Sequence, residues 1–227
     1  ESARRDAVQV VETPCLDVTD ADAVERVLIA ACERIGPPQV LFNSAGVGGA
    51  LPFEEIDLAR FDRCMRINVY GIRHVIAACL GSMTRGSHIV NVASMSGLIG
   101  SFGYTTYSAS KFAVVGFSEA LRAELKPRGI HVSVACPVQV DTPMLAETNR
   151  YKPAETLALN RRVGVITADE TVDEILRGMK RRDFLIIPGK KGRLVHLFHR
   201  LAPKLRERLA TRIIERAQSD ARPRQGQ

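Results

Sequence analysis

Tyr107 and Lys111 stand four residues apart in the run Tyr107-Ser108-Ala109-Ser110-Lys111. On a helix that spacing puts both side chains on one face, their heads within reach of a common ligand. A free phenol has a pKa of about 10 and is a poor acid or base near neutrality. A neighbouring ammonium stabilises the phenolate and lowers that value, which makes a tyrosine a usable proton donor and acceptor. Alone, the pair reads more readily as an interfacial tyrosine and a solvated lysine. Its surroundings shift the balance. Ser94 ends the apolar run 88–93, thirteen positions before Tyr107, and its hydroxyl could hold a carbonyl oxygen beside the phenol. Asn43-Ser44-Ala45-Gly46 ends another such run, and Gly46 permits close backbone approach. Asn68 interrupts a helical pattern where asparagine has no propensity reason to be. Asp17 follows a further apolar run and suits either an amine on a bound base or a helix N-cap.

The elements that must hold these residues alternate along the chain. Residues 8–16 are apolar and β-branched, a buried-strand pattern. Val24, Val27, Leu28, Ala31 and Ile35 recur at helical spacing after Thr19 or Asp20, and Gly36 with two prolines stops the helix. Strands follow at 39–42, 88–93 and 131–136, the last halted by Pro137, with a strand-like run at 184–187. Helical patterns lie between them at 58–83 and 106–126. Apolar strands alternating with helices predict the α/β class, a doubly wound parallel sheet covered on both faces, in one domain over residues 1–189. In such sheets ligands bind at the carboxyl ends of the strands. The polar, proline-containing stretch 142–165 then reads as a lid beside that crevice rather than a plain loop.

Composition excludes several classes. The chain has 227 residues, 45% hydrophobic and 25% charged, which is ordinary for a globular protein and rules out wholesale disorder or a fibrous repeat. The longest uncharged stretch, 86–110, is broken by His88, Asn91, glycines and hydroxyls, so it is no membrane span. Cys15, Cys32, Cys64, Cys79 and Cys136 show no CxxC and no metal-ligand spacing; free thiols in a reducing, cytoplasmic compartment are expected, and no metal. From residue 177 onward fifteen Lys and Arg face four Asp and Glu, a net of +11, whereas residues 1–176 hold seventeen against twenty-one, a net of −4. The basicity belongs to the C-terminal part.

Taken in order, the motifs resemble those of the short-chain dehydrogenase/reductase family. They are Leu16-Asp17-Val18-Thr19, Asn43-Ser44-Ala45-Gly46, Asn68-Val69-Tyr70-Gly71, Ile89-Val90-Asn91-Val92-Ala93-Ser94, Tyr107-x-x-x-Lys111 and Pro137-Val138-x-Val140-x-Thr142. The likeness implies a Rossmann-like sheet and hydride transfer between NAD or NADP and an alcohol or ketone. Tyr107 would be the acid/base, Lys111 would lower its pKa and bind the nicotinamide ribose, Ser94 would orient the substrate oxygen, and Asn68 would hold a relay water. Asp17 and Val18 would flank the adenine, Asn43, Ala45 and Gly46 would line the ribose side, and Pro137, Val140 and Thr142 would lie near the carboxamide. Met95, Leu98, Ile99, Phe102 and Met144 are the apolar residues expected near an apolar or amphipathic substrate. The resemblance also implies a homodimer or homotetramer through helices 58–83 and 106–126. Two positions depart, Ser44 for asparagine and Val138 for glycine. The family's TGxxxGxG loop is not in the sequence, so the natural protein is expected to extend beyond Glu1.

Leu194, Phe198, Leu201, Leu205, Leu209 and Ile213 form an apolar stripe among basic residues, interrupted by Pro203. This predicts two short helices over 190–217 and a disordered tail over 218–227. Such an extension either docks with a solvated charged face or contacts an anionic membrane surface; nucleic acid is not expected as a partner. Two further readings stay open. One is a non-enzymatic or membrane-surface binding protein of the same fold. The other is a cofactor-independent relative such as the halohydrin dehalogenases, against which Lys111 argues, since they have arginine there.

Overall fold

The computed structural model describes residues 9–221. In chain order its elements are α1 (Ala21–Ile35), β1 (Val40–Asn43), α2 (Leu58–Met65), α3 (Gly71–Leu80), β2 (His88–Val92), α4 (Thr105–Leu125), β3 (His131–Ala135), β4 (Gln139–Val140), α5 (Pro143–Thr148), α6 (Ala154–Val163), β5 (Val165–Ile166), α7 (Ala168–Lys180), β6 (Leu185–Ile186), α8 (Lys190–Leu201) and α9 (Pro203–Ala221). A π-helical turn, Arg66–Tyr70, joins α2 to α3 without a break in the helix.

One parallel sheet runs β1-β2-β3-β6, with Asn43 paired to Asn91, Asn91 to Val134 and Val134 to Leu185. Its middle is apolar on both sides, as a parallel sheet covered by helices must be. Ile89 and Val134 pack on one side with Ile72 and Ile76 of α3 and Val114, Leu121 and Leu125 of α4. Val90 and Ala135 face the other side, against Ile175 of α7 and Ile186. Asp20 caps α1 by accepting from the Ala23 N–H. Val18 lies so close to Gly71 that a Cβ there would stand 2.7 Å from its Cγ2. The doubly wound architecture is as the sequence predicts.

Two expectations change, for residues 9–16 and for the C-terminal tail, and two further stretches gain elements. Residues 9–16 form no strand, and Val8 lies outside the described residues. A strand exists only through a neighbour's hydrogen-bonding ladder, and this segment meets none among the described residues. The stretch 142–165, expected as a lid, holds α5 and α6 and is closed by a small parallel ribbon that pairs Gln139 with Val165 and Val140 with Ile166. Helix α7, opened by a capping box between Thr167 and Glu170, carries Val172, Ile175, Leu176 and Met179 at helical spacing and is an element absent from the predicted order. The C-terminal extension divides at Pro203 as expected, but α9 continues to Ala221, so residues 218–221 are helical; 222–227 lie outside the described residues.

His88 shows how tightly the sheet is sealed. The Ser133 hydroxyl donates to the Asp183 carbonyl at 2.6 Å, so His88 must donate to Ser133 through Nε2, at 2.8 Å. Burial, then the charges of His131 and Arg182, push the His88 pKa down to about 4. The unfolded chain takes up this proton near pH 6.5 and the folded chain only near 4. Stability present above pH 6.5 therefore drains away as the pH falls between those values, by on the order of 2 kcal/mol. Urea unfolding across that range should show this loss, and His88→Gln should flatten it.

Candidate functional site

Ser94, Tyr107 and Lys111 meet at the carboxyl edge of the sheet. Ala93 donates to the Ala135 carbonyl at 2.8 Å and Met95 to the Pro137 carbonyl at 2.9 Å, which clamps the backbone on both sides of Ser94. The Ser94 hydroxyl accepts from the Ser96 N–H at 3.1 Å. Gly97 then presses against α4, where a Cβ would lie 2.6 Å from the Lys111 carbonyl oxygen, so only glycine lets this turn approach. Tyr107 sits in the first turn of α4 and Lys111 in the next. The buried Lys111 ammonium donates to the Val92 carbonyl at 2.9 Å and stands 5.7 Å from the centre of the Tyr107 ring. Gly46 completes the group. A Cβ on it would lie 3.6 Å from Lys111 Nζ and 3.1 Å from Asn68 Oδ1, so its lack of a side chain keeps the space over the lysine open.

Asn68 is wholly buried in the π-helical turn and braces the site. Its Oδ1 accepts from the Val47 N–H at 2.8 Å, and its Nδ2 donates to the Val47 carbonyl at 3.0 Å and to Ser110 Oγ at 2.9 Å. Ser110 in turn donates to the Tyr107 carbonyl at 2.8 Å. One amide thus fixes the loop after β1 to the turn that carries Tyr107. The Asn68 Nδ2 also lies 3.3 Å from the Cys64 sulfur.

The electrostatics reverse one expectation. Burial dominates at Tyr107 and pushes its phenol up to about 12, with hydrogen bonding to Ser94 acting in the opposite direction. Burial likewise pushes the Lys111 ammonium down to about 8. The phenol is therefore held in its protonated form, because desolvation outweighs the hydrogen bond with Ser94, and no lowering by Lys111 offsets it. Cys136, beside both, is pushed up to about 12 by burial and stays a thiol.

The remaining predicted residues divide. Met144 lines a cavity of about 480 Å³ that opens onto Tyr107, together with Val47, Gly48, Leu51, Ile56 and Tyr151. Gly48 separates Tyr107 from Met144; a Cβ on it would lie 3.7 Å from the ring and 3.6 Å from the Met144 sulfur. Met95, Leu98 and Ile99 do not line it: Met95 and Leu98 pack against the core and Ile99 is buried. Phe102 contributes a carbonyl, which accepts from the Thr156 hydroxyl at 2.9 Å. Asn43 does not turn to the crevice either, since its amide donates to Asn91 at 2.8 Å and Asn91 to Ser118 at 2.9 Å. Ala45 is exposed beside it. Asp17 accepts from both the N–H and the hydroxyl of Thr19, bonds that lower its pKa, and is not the cap of α1. Val18 packs on Gly71 and its carbonyl meets His74 Nδ1 at 3.0 Å. Past β3, Pro137 holds Met95, Val140 lies in the β4–β5 ribbon, and the Thr142 hydroxyl caps α5 by accepting from Leu145.

Sequence reasoning missed Val47, Ser110 and the α6 pair Thr156 and Asn160. Asn160 donates to the Tyr104 hydroxyl at 3.0 Å, so α6 anchors residues 102–104 immediately before the helix of Tyr107. Serine three positions after Tyr107 was a usable signal for the first turn; nothing local marks Thr156 or Asn160.

The family model of the short chain dehydrogenases matches residues 2–153, and the chain belongs to that family. The 3-ketodihydrosphingosine reductase of Mus musculus is 37% identical over 187 residues, covering 81% of this chain and 56% of its own. The chain thus spans about half the length of the curated relatives it matches. A short-chain dehydrogenase from Streptomyces avermitilis superposes with a TM-score of 0.73 at 24% identity, over 93% of this chain and 81% of that one. One from Burkholderia phymatum, solved in complex with NAD, gives 0.71 at 27% identity over 83% and 74%.

Removing the Asn68 amide orphans the Val47 backbone groups and leaves a hole in the core. Asn68→Ala should lower the unfolding free energy by about 3 kcal/mol in urea titrations.

Proposed function

We propose that the chain is the catalytic part of an oxidoreductase that interconverts a ketone and a secondary alcohol with NAD or NADP. The observation that carries this reading is the convergence of the Ser94 hydroxyl, the Tyr107 phenol and the Lys111 ammonium at one edge of the sheet, with a cavity opening on the phenol. The nicotinamide-ribose end of a cofactor fits the residues present. Lys111 keeps N–H donors beyond the one given to Val92, and Gly46 leaves the room beside them. Bound there, the nicotinamide supplies or accepts the hydride.

The chain's own residues handle the oxygen and its proton. Ser94 holds the substrate oxygen and Tyr107 gives it a proton in the reducing direction. A phenol kept protonated by burial is already in the donating form at neutral pH. The phenolate left behind is stabilised by the Ser94 hydroxyl and by the Lys111 ammonium, whose charge counts for more away from water. Asn68 acts as a positioning residue, holding Val47 and Ser110. The cavity joins apolar Val47, Leu51, Ile56 and Met144 to polar Arg60, Arg63 and Glu147, which suits an amphipathic ketone such as the mouse relative's name describes. Assembly as a dimer or tetramer through α2, α3 and α4 is part of the same reading, supported by exposed Leu58, Tyr70 and Phe112.

Tyr107→Phe should lower turnover about 1,000-fold while leaving cofactor affinity, read by nicotinamide fluorescence, nearly intact; retained turnover would remove the tyrosine from its role. Lys111 is charged below about pH 8 and neutral above it. Ketone reduction at saturating cofactor should therefore fall as the pH rises through about 8. Lys111→Arg, charged throughout, should move that fall upward in whatever activity it keeps.

A further inference from the structure

Helices α8 and α9 present leucines that the described residues leave largely open to solvent. Leu194, Leu197 and Leu201 stand at i, i+3 and i+7 of α8, and Leu205 and Leu209 at i and i+4 of α9. Each set shares one face of its helix, and the five are between 42% and 75% exposed. They are not what docks the pair on the body. Gly192 of α8 does that, so close to Val138 and Ile187 that a Cβ would meet them at 2.7 and 3.2 Å, and α9 packs along α6.

The same helices carry the charge. Over residues 190–216 nine Lys and Arg stand against two Glu. Among the described residues only Arg193 of the nine has a carboxylate partner, Glu174 at 2.6 Å. Arg206 Nε, His196 Nδ1 and His199 Nδ1 are buried without a hydrogen-bond partner among the described residues. Leucines exposed in rows beside unpaired cations need an occupant that is apolar within and anionic at its rim. A second copy of the same surface would set these cations against each other, and a polynucleotide would leave the leucines without use.

We propose that α8 and α9 form an in-plane docking surface for an anionic lipid bilayer, the leucines entering the acyl boundary and the Lys and Arg side chains reaching back to the phosphates. The surface lies one helix from the active site. α9 packs on α6, and α6 holds residues 102–104 through Thr156 and Asn160. Docking would set the cavity beside the phase in which an amphipathic ketone dissolves.

The test needs neither cofactor nor substrate, so its outcome is separate from that of the proposed reaction. The chain of residues 1–227 is sedimented with vesicles of phosphatidylcholine alone and of phosphatidylcholine with phosphatidylglycerol. Binding is expected to be about tenfold or more tighter to the anionic vesicles and to weaken with added salt. Leu194→Ser with Leu201→Ser should lower it about tenfold, and Lys204→Gln with Arg208→Gln by a similar factor, each with an unchanged circular-dichroism melt. Equal sedimentation with both vesicle types, none with either, or full binding by the leucine variant would overturn the proposal. Self-association lost in the leucine variant, without vesicle binding, would assign the surface to a second copy instead.

Discussion

Lys111 carries an ammonium into a site where its residue keeps only 4% of its exposure. Burying a charge is costly unless it finds partners, and the surroundings are arranged around that demand. The Val92 carbonyl, at the carboxyl end of β2, is free to accept because the strand ends there and the chain turns away at Ser94. Gly97 lets that turn lie against α4, and Gly46 leaves the other side of the ammonium clear. The same dry pocket that weakens the lysine's hold on its proton strengthens the tyrosine's. The two shifts oppose each other in sign and share one cause, desolvation.

Two polar struts make this pocket rigid. Asn43, Asn91 and Ser118 tie β1 to β2 and β2 to α4 through buried amide and hydroxyl bonds. Asn68 ties the loop after β1 to the first turn of α4. Every member has a partner, which is the condition under which buried polar groups hold a structure in one arrangement instead of weakening it. Between them they fix the strand ends and the helix that carries the reactive pair.

Much of this was legible in the order of residues. The alternation of apolar runs and helical periods pointed to the sheet, and the strand-end position of Ser94 together with the ordered motifs, rather than the Tyr107–Lys111 spacing alone, pointed to their meeting at its edge. What could not be read was whatever depends on neighbours distant in sequence. Residues 9–16 have the composition of a strand, but pairing is not a local property. Met95, Leu98 and Ile99 follow a serine of the site and so look like substrate contacts, yet Gly97 folds that turn inward and commits them to packing. The helices α5 and α6 are too short for a clean hydrophobic period, and α6 buries a threonine rather than a row of apolar side chains. The phenol's upward shift depends on packing that no spacing reports. Asn43 misled in a simpler way: the register places it beside Asn91, and an amide next to an amide in a dry sheet bonds sideways.

The π-helical turn has a consequence for angle as well as for hydrogen bonding. Cys64, Asn68, Ile72 and Ile76 are buried at a strict interval of four residues. In an uninterrupted α-helix four residues overshoot a full revolution by about 40°, so three such steps would carry the row round by about 120°. The N–H of Gly71 instead bonds the carbonyl of Arg66, five residues back, and the extra residue in that turn takes out about 100°. The row comes back nearly into line. One wide turn therefore acts as a phase correction, allowing a single continuous helix to keep Cys64 and Asn68 toward the site and Ile72 and Ile76 toward the core.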